Sequence, residues 1–330
     1  MTRNKLVAPA ALLLLAATAQ AKPKVPVAFT AFDGGVISAE TLGRGDTVAS
    51  NRGTPASGSE NPAALNTPFA SSLYTTTHVG ATSDVPKRTR RAVDPLREKV
   101  FQYGAIGAEK GVMFFEPISR LTDSTTSEMF IDAIGFAGAD TWRKHGSFGI
   151  SIAYLRSSLY RPLTASNLPG EGSDNGNGVR LNIGMRYPVG PTMWGLVLQN
   201  APGFLWWKHH ERTQLPLKIR VGNTWKVRSG MLASSEYEQR YYNEGSNKED
   251  FLHFGLENQI SDALFLRAGM FANDVQESED RHWTMGFTII TGGGAEVSYA
   301  LERFELLDEK VSKSFLSVTF PFEVTGDGND

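Results

Sequence analysis

The 330-residue chain has no cysteine. Disulfides, thiolate metal sites and a lipid-bearing N-terminal cysteine are therefore all excluded. An excess of one charge is missing too: 33 Lys and Arg stand against 35 Asp and Glu, a formal net charge of −2. So even a balance supplies no field with which to hold a nucleic acid. Mean hydropathy is −0.25, and no apolar run reaches the roughly 18 residues that a helix needs to cross a bilayer. Recognisable catalytic arrangements are also absent. The histidines, His78, His145, His209, His210, His253 and His282, lie in no Ser, Asn or Asp motif. His209-His210 lacks a third ligand for a metal, and no phosphate-cradling loop occurs. The reading assigns no catalytic residue, metal or cofactor, and expects a protein that is not an enzyme.

What the chain does have is alternation. In Gly178–Asn200 the residues Val179, Leu181, Ile183, Met185 and Tyr187 share one face, and Arg180, Asn182, Gly184 and Arg186 the other. A period of two gives a strand with one oily face and one wet face. Val189-Gly190 turns the chain, and Trp194, Leu196 and Leu198 resume the apolar face. The design recurs to the last strand, where Leu316, Val318, Phe320 and Phe322 oppose Ser317 and Thr319. Arginines and glutamates opposite an oily face point to an all-β fold, a transmembrane antiparallel up-and-down β-barrel with its apolar band outward and a polar lumen.

From Ser71 onward the pattern predicts about 14 strands, the even count expected of such barrels. Three connections, Ala81–Glu98, Ser157–Asn177 and Ala201–Leu215, read as long loops, with short turns between them. Tyr187, Trp194, Trp225 and Phe322 are expected at one rim and Tyr154, Tyr241 and Trp283 at the other, as aromatic girdles. The alternation is weakest between 99 and 139, where Met113-Phe114-Phe115 run together and Glu116-Pro117 breaks the period.

The N-terminus carries Arg3 and Lys5, an apolar core from Leu6 to Ala17, then Ala19-Gln20-Ala21. Residues 1–21 thus read as a signal peptide, which implies export and location in the outer membrane of a Gram-negative-type cell. Residues 22–70 hold no alternating strand and are broken by Gly43, Gly45, Gly53 and Gly58. They read as a plug folded against the lumen wall. Residues 71–322 make the barrel, and 323–330 a short periplasmic tail.

The segments Leu42-Gly43-Arg44-Gly45-Asp46 and Ser59-Glu60-Asn61-Pro62-Ala63-Ala64-Leu65 resemble the N-terminal signature of the fatty-acid-transporter (FadL) superfamily of outer-membrane barrels. Leu196–Gly203, Leu215–Gly222 and Leu266–Gly269 are similar to pieces of its shorter PorV/PorQ-like branch. The resemblance implies a barrel of about 14 strands whose N-terminal segment enters the lumen as a hatch, shaped here by Gly43, Arg44, Gly45, Asn61, Pro62 and Ala63. It also implies either passage of a hydrophobic small molecule or a surface shuttle that binds secreted proteins, as in type IX secretion. A purely structural barrel is a third reading.

Inward parity assigns Arg180, Arg186, Lys218, Arg220, Glu236, Glu238, Glu257, Arg267, Glu296 and Glu302 to the lumen, as a solute path or a mutually paired network. The same parity turns Met193, Val197, Phe251, Phe265, Phe271 and Phe315 inward, as a ligand pocket or as packing against the plug. Trp206, Trp207 and Lys208 lie in the predicted loop Gly203–Arg212, where aromatics beside cations suit a lipid, lipopolysaccharide or protein partner. Lys87–Arg91 forms a basic run suited to lipopolysaccharide phosphates or to plain solvation.

Overall fold

The computed structural model describes residues 36–83, 101–123, 127–142, 145–160, 173–242, 248–273, 281–306 and 309–323. The segments read as a signal peptide and as a basic run (1–21 and Lys87–Arg91) lie outside the described residues, as does the tail beyond Glu323.

The strands are β1 (Ser72–Ser83), β2 (Phe101–Ala108), β3 (Gly111–Asp123), β4 (Ser127–Trp142), β5 (Gly146–Tyr160), β6 (Asp174–Val189), β7 (Thr192–Gln199) and β8 (Gly203–Trp207). They continue as β9 (Thr213–Gln214), β10 (Leu217–Arg228), β11 (Met231–Tyr241), β12 (Lys248–Ser261), β13 (Leu264–Ala272), β14 (Arg281–Ile290), β15 (Glu296–Leu306) and β16 (Glu309–Pro321). Each pairs antiparallel with its neighbour, and β1 meets β16, so the sheet closes on itself. β7 and β8 run along successive lengths of β6, while β9 pairs with β8 and β10 with β7. β7 with β8, and β9 with β10, thus each make one wall strand carrying a break, which gives a closed 14-strand barrel. Closure removes the long free edges of an open sheet, and among the described residues the two-residue β9 pairs only with β8.

The two breaks sit side by side. Asn200, at φ 58, and the cis Ala201-Pro202 bond interrupt the first, and Pro216 interrupts the second. Proline has no N–H for a ladder. Asn200 bridges the gap by donating from Nδ2 to the Pro216 carbonyl at 2.7 Å. Ala201–Leu215, expected as a loop, therefore contributes wall at Gly203–Trp207 and Thr213–Gln214. Its alternation is hidden in the sequence because Leu205 and Trp207 face inward as apolar residues, just as Trp206 faces outward.

The outward faces carry the apolar band: Phe136 is 66% exposed, Ile152 59% and Met285 58%. Tyr187, Trp194, Trp225 and Phe322 are exposed near the short-turn end, and Tyr154, Tyr241 and Trp283 near the long-loop end. Trp142 joins the first group, with its ring 6.4 Å from that of Tyr187. In β3 the alternation survives its apolar run: Met113 and Phe115 point out, while Val112, Phe114 and Glu116 point in. The period slips between Pro117 and Ser119, as a bulge against β4.

Inside, β2 to β5 and β8 present many apolar side chains, whereas β6 turns Asp174, Arg180, Asn182 and Arg186 inward. Tyr74, Tyr103, Phe114, Ile118, Met129, Ile131, Leu155 and Leu205 form one buried cluster. With β6, strands β10 to β16 supply most of the polar lumen wall.

Candidate functional site

Residues 36–70 lie within the barrel, packed on inward residues of the wall. The segment contains two short helices, Ala39–Gly43 and Ser57–Glu60, and a 3-10 turn at Pro62–Asn66. Ser38 caps the first helix through its hydroxyl, which accepts from Thr41 N–H at 3.2 Å. Asn61 precedes the turn; its Oδ1 accepts from Ala63 N–H at 3.1 Å, with Pro62 in the first-turn position that tolerates it. Gly45 and Asp46 both take positive φ, at 69 and 58. Without a Cβ, Gly45 adopts this easily and lies against the β12 and β13 backbone.

The wall is carved to admit this segment. A Cβ at Gly195 would collide with Ala49 O, at Gly184 with Asn61 Oδ1, and at Gly149 with Pro62 and Ala63. On the opposite wall one at Gly255 or Gly269 would collide with Arg44 or Gly45, and Gly286 lies beside Gly43. Plug backbone thus rests directly on barrel backbone. Buried polar contacts fix it there. Glu236 Oε2 accepts from Val48 N–H at 2.8 Å and Ala49 N–H at 2.6 Å. Ser317 Oγ accepts from Ala39 N–H at 2.9 Å, and Thr284 Oγ1 from Gly45 N–H at 3.0 Å.

The inward charges are paired with one another and with the plug. Arg180 donates to Glu116 at 2.6 Å and to Ser59 Oγ at 3.0 Å. Arg220 meets Glu236 at 2.5 Å, Glu238 at 3.3 Å and plug residue Asp46 at 3.2 Å. Glu257 gathers Arg267 at 2.8 Å with Arg44 and Arg52 of the plug at 3.8 and 3.6 Å. Arg186 donates to Thr67 Oγ1 at 2.7 Å. Lys218 is buried on β10, and Glu296 is half-buried at the short-turn end. Glu116 was missed by the sequence reading, because the neighbouring Pro117 and bulge concealed its parity. Within the plug, burial pushes the Arg44 guanidinium below its ordinary value, opposed by Glu257. Burial, reinforced by Asp46, raises the Glu60 carboxyl to about 8.

The apolar candidates separate. Phe315 packs with Ala39, Leu42 and Ala300, and Phe271 joins them. Phe265 lies beneath Arg267, with centroid to Cζ at 5.8 Å. Phe251 is covered by Arg240 at 4.1 Å. Val197 is fully buried, and Met193 lies at the short-turn rim in register with Pro188 and Thr224. A row of stacked rings was not foreseen. His253, Phe271, His282 and Phe304 lie side by side across β12 to β15, with centroids 5.5, 4.4 and 4.6 Å apart. Only strand register aligns them, since no local motif links these residues.

Two cavities flank the plug. The first, about 280 Å³, opens toward the long-loop end and is lined by Leu42, Val48, Phe271, Phe315, Lys218 and Arg220 among others. The second, about 310 Å³, lies toward the short-turn end and is lined by Phe265, Arg267, Glu257, Glu296, Arg52 and Phe69 among others. Met193, Val197 and Phe251 line neither.

Trp206 and Trp207 do not form one surface. Trp206 is 47% exposed on the outer face, whereas Trp207 is buried with Nε1 donating to Thr213 at 2.9 Å. Lys208 is exposed beyond them. His210 is buried against Asp174, with Nδ1 and Oδ2 2.6 Å apart. Asp46, Glu238 and His253 bring three possible metal ligands together. Arg220 already reaches Asp46 and Glu238, and its guanidinium supplies the positive charge at this place.

No protein-family model matches the chain, and no curated protein matches it. Solved structures do. The CymD monoaromatic hydrocarbon channel superposes with a TM-score of 0.64 at 13% identity, over 91% of this chain and 100% of that one. The toluene transporter TbuX of Ralstonia pickettii gives 0.60 at 12%, over 88% and 99%. The P. putida toluene transporter TodX gives 0.57 at 12%, over 89% and 100%. At such identities the likeness is one of fold: the chain shares the barrel of these proteins over about nine tenths of its length.

Proposed function

We propose that the protein is an outer-membrane barrel that passes a hydrophobic small molecule, with residues 36–70 as the hatch. The observation that carries this reading is the pair of partly apolar cavities on either side of a plug seated inside a closed barrel. A water-filled pore has no use for Phe265, Phe271 and Phe315 in its lumen; a path for an apolar solute does. The exposed outer band and its aromatic rims suit a bilayer, with lipid and lipopolysaccharide as surroundings. The signal-like N-terminus suits export to a Gram-negative outer membrane. The structural neighbours described as hydrocarbon or toluene transporters support an aromatic or similarly compact apolar solute. The sequence pieces similar to PorV/PorQ proteins suggest the shorter branch of the superfamily. Trp206, Trp207 and Lys208 do not present one docking face for a lipid or protein partner, because Trp207 is buried.

The test is reconstitution into liposomes with labelled toluene and, in parallel, a polar sugar. Toluene entry well above that of empty vesicles, with the sugar excluded, is the expected result. Equal entry of both, or of neither, sinks the reading.

A further inference from the structure

The two cavities share a single lining residue among those described, and it belongs to the plug: Glu60. Its side chain hangs on one contact, with Oε2 accepting from the Thr41 hydroxyl at 3.0 Å. Thr41 in turn accepts from Asn51 Nδ2 at 3.2 Å, and Asn51 Oδ1 accepts from Arg44 at 2.6 Å. Glu60, Thr41, Asn51 and Arg44 thus make a thin polar wall across the middle of the plug. Leu42 and Val48 look into the cavity on one side, while Thr41, Arg44 and Asn51 look into the cavity on the other.

The rest of the plug is held differently. Its backbone lies on Gly149, Gly195, Gly255, Gly269 and Gly286 with no side chain between. Glu236 clamps two consecutive N–H groups, and the Glu60 carbonyl itself is held by Gln199 Nε2 at 3.0 Å. To lift the plug off the wall, all of these buried contacts must break together and leave unpaired groups behind. To swing the Glu60 side chain off Thr41, one hydrogen bond breaks.

We propose that the passage between the two cavities runs through the plug at Glu60, which acts as the gate while the plug backbone stays seated on the barrel wall. This rests on the reading of the protein as a channel for apolar solutes. It goes further by assigning the moving part to one side chain and a fixed role to the remainder. The permeant class is a compact neutral apolar molecule.

The chain has no cysteine, which makes a direct test available. The hydroxyls of Ser50, in the plug, and Thr224, in the wall, are 2.6 Å apart. Cysteines at both places are close enough to pair. The Ser50→Cys/Thr224→Cys protein is reconstituted in liposomes, and toluene entry is measured reduced and oxidised. Entry within about twofold between the two states is expected, because the seated plug does not need to leave. A tenfold loss on oxidation overturns the proposal. In the second arm Glu60→Ala, checked for folding by heat-modifiable gel migration, is expected to raise entry severalfold. A folded Glu60→Ala protein with an unchanged rate removes Glu60 as the gate. Should Glu60→Ala fail to fold, the tether decides alone. Wild-type entry no greater than that of empty vesicles defeats the channel reading itself, a result separate from either gate outcome.

Discussion

Arg180 of β6 and Glu116 of β3 meet inside the barrel at 2.6 Å, joined across the lumen wall by Ser59 of the plug. Both side chains are almost wholly buried. Removal of one partner strands a charge in a water-poor setting, which costs about 3–5 kcal/mol. Arg180→Met is therefore expected to lower stability by that amount in urea titrations in vesicles, while Arg180→Met with Glu116→Leu recovers much of the loss. Equal effects of the single and double changes would show that the pair is not coupled.

The glycine seats give a second prediction. Gly195→Leu places a side chain where Ala49 O now lies, so the plug must shift or the barrel must distort. Planar-bilayer recordings should show a larger or noisier ion leak than wild type. Gly292→Ala is the control, since nothing lies near its added carbon. A quiet Gly195→Leu channel argues that the plug is loosely held.

Outward parity gives a third. Ile183→Arg faces the apolar band and should cost roughly 2–4 kcal/mol of folding into a bilayer. Ile183→Val should cost about 1 kcal/mol. Asn182, its inward neighbour, is no lenient control: its amide donates to Ser59 O at 3.1 Å and its Oδ1 accepts from Asn200 N–H at 3.0 Å. Parity alone predicts tolerance there, and the plug removes it.

Glu60 supplies a pH dependence. Its carboxyl is raised from 4.5 to about 8 by burial first and Asp46 second. A raised carboxyl binds its proton more tightly in the folded state. Its contribution to stability is therefore fully present below the unfolded value of 4.5 and is lost as pH climbs through about 8. The size is on the order of a few kcal/mol. Glu60→Gln should flatten the fall in denaturation midpoint between pH 5 and about 9. An identical fall in both proteins places its origin elsewhere.

The break in the wall gives the last. Trp207→Ala empties a buried site and is expected to cost about 3–5 kcal/mol, whereas Trp206→Ala, on the outer face, should cost much less. Thermal unfolding of the two variants in detergent separates them.

The sequence by itself determined the wall. From β5 onward, apolar and polar residues alternate because each strand meets hydrocarbon-like surroundings on one side and a polar interior on the other. Val179 to Tyr187 can satisfy both only as a strand of a closed sheet. The tertiary structure decided whatever depends on what stands opposite. Where the interior is itself apolar, as at Leu205 and Trp207, the two faces look alike and the strand disappears from the pattern. The inward glycines read locally as weak strand residues. Only the approach of Ala49, Asn61 or Arg44 gives them their use. Glu60 likewise is one carboxylate among many along the chain. Its place between two cavities follows from contacts with Thr41 and Gln199, made by a segment with no periodicity of its own and held only by the wall around it.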